Sequence, residues 1–506
     1  GRSERQEENI IFRVYIMRRV ANGTRIEENG WIRVAISGTP HQRGFANGLL
    51  VAKEMSEVIR MLRYLIPNSY GIKYEELVDI IYTLLSPQIQ SNFPEYYEEM
   101  KGITSGAKSG GTKISFEEVV FWNTYYSVGY MIGHIGELIK NNSVLSVKYS
   151  KLAAHGLGSG AGEGGGSDRC TAFIAVGDYT ADGKIVCAHN TFDNFMDAQY
   201  CNVMLSVKPA KGNAFIMQTA PGCIASGTDY YVNDRGMVIT ETTIGGFTKF
   251  KLADPICCRV RQAVQYGKTL DDYIEILKRN NSGDYANSWL IGDTKTNTIM
   301  RIELGLEYIN VEKKKNGYFI GFNAPYDPAI RALECENTGF YDIRRHQGAR
   351  RVRLTQLMEK HKGKINIEIG EEVLSDHYDV YLNKINMCSR TCCSHYNLDA
   401  REFMSQADRP LPYQPRGAMD GIVTDTTLVK QMGLVARWGS SCGTPFYAKE
   451  FCDRNLQWAD QKPYLMDRIS QPWTTFYLNE RTGTHHHATK RTIKYKSGIK
   501  KKTRRK

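Results

Sequence analysis

The segment GLGSGAGEGGGSDRCTAFIAV, from Gly156 to Val176, sets a cysteine between two kinds of chain. Up to Arg169 it is glycine, serine and charge, which cannot bury enough apolar surface to offset the entropy of ordering and so reads as a cleavable tether. From Cys170 onward the residues are those of a strand. A cysteine at the first position of a central strand, directly after such a tether, has a specific chemical use. Cleavage of the Arg169–Cys170 bond would give one residue both a nucleophilic thiol and an α-amino base, whose ordinary pKa is near ~8. The amine could accept the thiol proton as a histidine would, at a distance fixed by covalent geometry. The same residues also fit a buried cysteine in an apolar strand behind an ordinary loop, and spacing alone leaves both readings open.

Other chemistry is not visible at motif spacing. The glycine tract lacks the Gly-Lys-Ser/Thr ending of a phosphate loop and precedes a strand, not a helix. The twelve cysteines include the adjacent pairs Cys257/Cys258 and Cys392/Cys393 but no CxxC repeat, so neither a zinc ribbon nor a regular disulfide framework is indicated. His485, His486 and His487 stand in a basic tail with no cysteine or acidic partner at ligand spacing. No metal and no cofactor is expected.

The elements that must position Cys170 follow from pattern and punctuation. A chain of 506 residues, 42% hydrophobic and 24% charged, is globular and can bury the core of one large domain or two. Much of its +12 net charge sits in the closing KRTIKYKSGIKKKTRRK. The stretch Val119–Ile139 is the best membrane-span candidate, but Asn123, His134 and Glu137 interrupt it, and a buried helix fits better. Upstream of the tether the reading is mostly helical. Ser115 and Glu118 form a capping box, KYEELVDIIYTLL carries apolar residues at helical spacing until Pro87 stops it, and TPHQRGFANGLL opens another helix after the strand WIRVAISG. Downstream come hairpins: CTAFIAVGDYTADGKIVCAHN turns through Asp182-Gly183, and VMLSVKPAKGNAFIMQT and YYVNDRGMVITETT repeat the form. Helices follow at TLDDYIEILKRN and ARRVRLTQLMEKH. Strands and helices in blocks argue for α+β layers and against a doubly wound nucleotide fold. The organisation expected is a mostly helical lobe over 1–155, a tether over 156–169, a core over 170–480 and a basic tail over 481–506.

The segment CTAFIAVGDYTADGKIVCAHNTFDNF resembles the nucleophile hairpin of the N-terminal-nucleophile (Ntn) cysteine hydrolases, and most closely the phospholipase B-like family. The likeness continues through ITETTIGGFTKF, RNNSGDYANSWLIGD, GFNAPYD and GARRVRL, and more faintly through RGAMDGIVTDTTLV, covering most of Cys170 to Phe476. TPHQRGFANGL is similar to the prosegment motif of the isopenicillin acyltransferase-like branch. The resemblance implies an αββα sandwich and places the nucleophile on Cys170. It implies that His189 lies across the hairpin, that Thr243 lines the pocket, that the Asn323 amide helps to hold an oxyanion, and that Arg350 lies near the nucleophile, with Arg351 and Arg353 as competing registers. Phe192 stands where the family usually carries tryptophan, keeping an aromatic wall but losing the indole donor. His395 stands where a related motif carries arginine and is given only a supporting place.

These pieces describe acyl transfer. A thiolate attacks an amide or ester carbonyl, Asn323 and backbone donors hold the oxyanion, and water or an amine resolves the thioester. The expected partners are a small acyl-amide or lipid-like substrate, the two processed fragments held to each other, and an anionic lipid or nucleic acid touched by the tail. Amide is slightly preferred over phospholipid ester. A family member that has lost catalysis and serves as a scaffold through its tail is the alternative. No signal peptide is visible at the GRSERQ start, and the resemblance implies a lysosomal or secreted compartment.

Overall fold

A computed structural model describes residues 17–157, 170–401 and 411–479. Residues 158–169 of the tether, the basic tail and its three histidines lie outside them. The larger sheet has ten strands in the spatial order β1 (Arg18–Val20), β2 (Gly23–Glu28), β3 (Trp31–Gly38), β6 (Val203–Pro209), β7 (Phe215–Thr219), β8 (Tyr230–Asn233), β9 (Met237–Thr243), β10 (Asn287–Asp293), β11 (Thr298–Leu304) and β12 (Ile309–Lys314). The smaller has seven: β13 (Gly317–Gly321), β4 (Cys170–Val176), β5 (Val186–Asn194), β17 (Asp420–Asp425), β18 (Gly433–Trp438) and β19 (Thr474–Tyr477), with β16 (Arg416–Ala418) added to β5. A short ribbon of β14 (Tyr378–Asp379) and β15 (Lys384–Ile385) stands apart.

The side-chain period of two explains why β4 is apolar throughout. Ala172, Ile174 and Val176 join Cys187 in the core between the sheets, whereas Phe173 and Ala175 pack outward against Leu354, Leu357 and Leu374. These leucines belong to the helices His346–Lys360 and Ile367–Leu374, which cover the smaller sheet. The helices Ile256–Tyr266 and Leu270–Lys278 pack on the larger one, where Asn233 Nδ2 donates to Val264 O and lies 3.1 Å from Tyr273 Oη. The result is the four-layer αββα sandwich that the resemblance implies. The first hairpin is longer than Asp182-Gly183 alone suggests: a 3-10 turn at Gly177–Tyr179 extends the connection, and Gly183 takes φ +75°.

The N-terminal segment contributes strands as well as helices. β3 runs parallel to β6 with seven residues in register, from Ile32↔Val203 to Gly38↔Pro209, so chain from before the tether continues the sheet formed after it. Its helices begin with α1 (Pro40–Leu50), α2 (Ala52–Tyr70), α3 (Tyr74–Asn92), α4 (Pro94–Ser109), α5 (Phe116–Asn123) and α6 (Tyr125–Met131). The TPHQRGFANGL motif supplies Thr39, whose side chain caps α1 in a box with Gln42. It also supplies Gly44, where a Cβ would meet Glu99 O of α4 at 2.1 Å, so only glycine permits this crossing. Pro87 does not end its helix. α3 passes through it to Asn92, giving up one backbone hydrogen bond while Leu84, Leu85 and Ile89 remain buried. The capping box at Ser115 and Glu118 is formed. The apolar stretch from Val119 is broken into α5, α6, a 3-10 turn and the helix Ile135–Lys140, and no helix among the described residues is long and apolar enough to cross a membrane.

Candidate active site

Three segments meet at the start of β4. Cys170 is fully buried and pairs with Thr191 of β5, while on the other edge Gly321 of β13 pairs with Ala172. Because β13 runs antiparallel to β4, the two residues after Gly321 carry Asn323 alongside Cys170. Asn323 adopts φ +68°, a left-handed conformation that asparagine tolerates better than most residues. Its Oδ1 accepts from the Cys170 backbone N–H at 3.3 Å, and its Nδ2 donates to Thr243 O at 2.8 Å. The second amide hydrogen is left for another acceptor. Thr243 thus enters the site through its carbonyl, and its hydroxyl is buried without a hydrogen-bond partner among the described residues.

Arg350 locks the other side. It lies on the first turns of the helix His346–Lys360, buried completely, and its Nη1 donates to Cys170 O and to Thr171 Oγ1 at 3.1 Å. Its Nη2 donates to Asn323 Oδ1 at 2.6 Å and to Phe322 O at 3.2 Å, and lies 2.8 Å from His346 Nδ1. The guanidinium also stands 5.0 Å from the centre of the Phe192 ring, so the residue replacing the family tryptophan still forms an aromatic wall. The neighbouring arginines go elsewhere. Arg351 donates to Phe340 O, and Arg353 forms an ion pair with Asp376 at 2.7 Å. Of the three arginines, Arg350 is the one bonded to Cys170.

His189 lies on the same hairpin but not directly opposite the cysteine. It pairs with Ala172, two residues along from the Cys170↔Thr191 pair. It is fully buried, and neither ring nitrogen makes a well-aligned hydrogen bond among the described residues. Burial pushes its pKa down to about 3, against a weaker upward pull from the Glu241 backbone, so the imidazole is neutral at any ordinary pH.

Two buried carboxylates complete the surroundings. The Cys170 thiol and carboxylate oxygens of Asp229 and Glu241 all lie within 4.8 Å of one another. Tyr285 Oη donates to Asp229 at 2.5 Å and lies 3.2 Å from a Glu241 oxygen. Asp229 takes φ +59° and also lines a cavity of about 30 Å³ among Trp122, Tyr126, Ile256 and Val260. That volume holds about one water and no acyl chain.

A family model described as Phospholipase B matches residues 91–476. The chain belongs to the phospholipase B family. Among curated relatives, the putative phospholipase B-like 2 of Rattus norvegicus is 24% identical over 360 residues, covering 61% of this chain and 60% of its own length. That of Homo sapiens is 23% identical over 481 residues, covering 82% and 78%. The first matches thus span about 60% of the relatives' length. Among solved structures, a mutant of conjugated bile acid hydrolase from Clostridium perfringens is 9% identical with a TM-score of 0.29, over 53% of this chain and 88% of that one. Penicillin V acylase from Agrobacterium tumefaciens is 12% identical with a TM-score of 0.32, over 53% and 83%.

In this phospholipase B family member, sequence reasoning named Asn323, Arg350 and Cys170, which do come together, and His189 and Thr243, which border them. It missed Asp229, Glu241 and Asn287. Asn287 pairs with Thr243 across β9 and β10, and both its amide atoms are buried without a partner among the described residues. Glu241 and Asn287 sit inside the resembling segments ITETTIGG and YANSW, so the signal was present but each read as one more strand residue. Asp229, in SGTDYY, had only its left-handed backbone to mark it. His395, given a supporting place, lies instead in a separate cluster with His377, Cys393 and Cys442.

Proposed function

We propose that this protein is an Ntn cysteine hydrolase that cleaves its own chain before Cys170 and then hydrolyses an acyl amide or ester. The observation that carries the reading is that both backbone groups of the residue opening β4 are held by side chains, its N–H by Asn323 and its carbonyl by Arg350. In the first step Sγ attacks the carbonyl carbon of Arg169 and the thiol proton passes to a nearby carboxylate, Asp229 or Glu241. The C–N bond breaks as the nitrogen takes up a proton and becomes the α-amine, and water then hydrolyses the thioester to an Arg169 carboxylate and a free thiol. In turnover the α-amine accepts the thiol proton and returns it to the leaving amine or alcohol, and water again frees the acyl group.

An acyl amide is the favoured substrate, because the amine that takes the thiol proton can also protonate a leaving amine. The aromatic cavity beside Asp229 supports an apolar acyl group once it opens. Association of the two fragments is supported by the β3–β6 pairing, which joins chain from either side of the cut. Intact-mass analysis tests the reading: the expected fragment begins CTAF, and Cys170→Ala stays whole. A wild-type chain still uncut after prolonged incubation at acidic pH would sink it.

A further inference from the structure

Away from Cys170, on the far side of the Phe192 wall, four side chains from three segments converge. His377 precedes β14, Cys393 and His395 follow β15, and Cys442 follows β18. Their ligand atoms all lie within 4.8 Å of one another. The Nε2 atoms of His377 and His395 are 3.2 Å apart, and His395 Nε2 is 3.4 Å from Cys393 Sγ and 3.4 Å from Cys442 Sγ.

These three separations meet at His395 Nε2, and the remaining pairs also lie within 4.8 Å. With zinc bonds of about 2.0–2.1 Å to nitrogen and about 2.3 Å to sulfur, tetrahedral angles put N···N near ~3.3 Å and N···S near ~3.5 Å. The observed separations are close to both. Two imidazoles and two thiols are also a set that prefers zinc to hard cations such as magnesium or calcium. Further hydroxyls surround the sulfurs: Ser441 Oγ donates to Cys393 Sγ at 3.4 Å, Cys442 Sγ lies 3.1 Å from Ser440 Oγ, and it donates to Thr444 Oγ1 at 3.2 Å. Hydrogen bonds to ligand atoms are what orient a metal's ligands.

We propose that His377, Cys393, His395 and Cys442 form a structural zinc site. Binding Zn²⁺ displaces one proton from each thiol and uses one lone pair from each imidazole, leaving a neutral centre with four protein ligands and no position open to substrate. Its place gives it work to do. Cys393 packs with Phe192, the ring beneath Arg350, and Ser441 Oγ is 3.2 Å from Asn190 Nδ2, next to His189. The ion would pin the segments 377–395 and 440–444 behind the nucleophile hairpin. Spacing along the chain conceals such a site, since only Cys393 and His395 are sequence neighbours.

The test uses the full chain, stripped with a chelator under reducing conditions and titrated with Co²⁺ and then Zn²⁺. Cobalt should give the intense visible bands of a tetrahedral ion with thiolate charge transfer, saturating near ~1 equivalent and bleached by zinc. Cys442→Ser should lose the charge-transfer intensity, and His377→Ala, at a half-buried position, should weaken binding at least ~10-fold with the far-UV dichroism unchanged. Pale octahedral cobalt bands, or unchanged titrations in both variants, would overturn the site. So would a native mass about 2 Da low from a Cys393–Cys442 disulfide in protein purified without oxidant.

Discussion

Replacing His189 by phenylalanine in a Cys170→Ala background, which excludes any cleavage by that thiol, isolates the cost of one buried histidine. In the folded protein its pKa is about 3, whereas unfolded histidine titrates near ~6.5. The unfolded chain therefore takes up the proton first as pH falls. Stability is complete above about pH 6.5 and is lost steadily as the pH drops toward 3. From about pH 7.5 to about pH 4.5 the loss comes to about 2.6 kcal/mol, nearly two units at 1.36 kcal/mol each. The variant lacks this term. Asp420, raised to about 6 by burial, and Glu371, raised to about 7, titrate in both proteins and cancel. Urea unfolding at the two pH values should show the variant gaining about 2–3 kcal/mol on its His189 parent upon acidification, whatever its fixed packing penalty. Parallel pH dependences would mean that the imidazole has a partner that accommodates its charge, and the picture of a neutral, buried His189 would be wrong.

Two further substitutions probe the site and the lobe. Asn323→Ala removes the amide beside Cys170 and should slow self-cleavage and turnover about 10²-fold with KM nearly unchanged, measured as the rate at which the CTAF fragment appears and as steady-state kinetics; an unaltered rate would remove Asn323 from the oxyanion role. Glu99→Gln removes the carboxylate shared by Arg43 at 2.7 Å and Arg261 at 2.9 Å, one on each side of the tether, leaving Arg43 with Glu95 and Arg261 with no carboxylate among the described residues, and should cost about 3 kcal/mol in urea unfolding. A cost under about 1 kcal/mol would show that this triad does not tie the segments before and after the tether together.

Legibility followed the range of the signal. Hairpins, capping boxes and the strand opened by Cys170 depend on residues close in sequence, and they stand where the pattern places them. Asn323 and Arg350 were reached because whole segments resembled a family. Pro87 was misread because local propensity forbids what burial of Leu84, Leu85 and Ile89 on the same helix makes worthwhile. The parallel pairing of β3 with β6 spans the whole lobe and tether, and no local pattern encodes it. Asp229 and the four-residue cluster around His395 were invisible for the same reason, since each is assembled only by tertiary contact.

That long-range assembly also separates processing from access. Cutting the tether would free the Cys170 amine, but it leaves α5 and α6 where they are. Trp122 Nε1 donates to Pro221 O at 2.9 Å, Asn123 bonds both Gly222 O and the Ile224 N–H, and Ser127 Oγ donates to Asp284 at 2.5 Å. Tyr126 stacks on Tyr285 at 5.3 Å, directly over the residue that holds Asp229. These few contacts close the cavity to about 30 Å³. Each hydrogen bond is worth about 1 kcal/mol net, and more where Asp284 is the acceptor, but Phe121, Trp122, Val128 and Met131 of the same two helices are buried in the core, so opening this patch also exposes apolar surface. Under the proposed function a substrate would therefore meet two barriers in series, the peptide bond before Cys170 and the packing of α5 and α6 over the cavity.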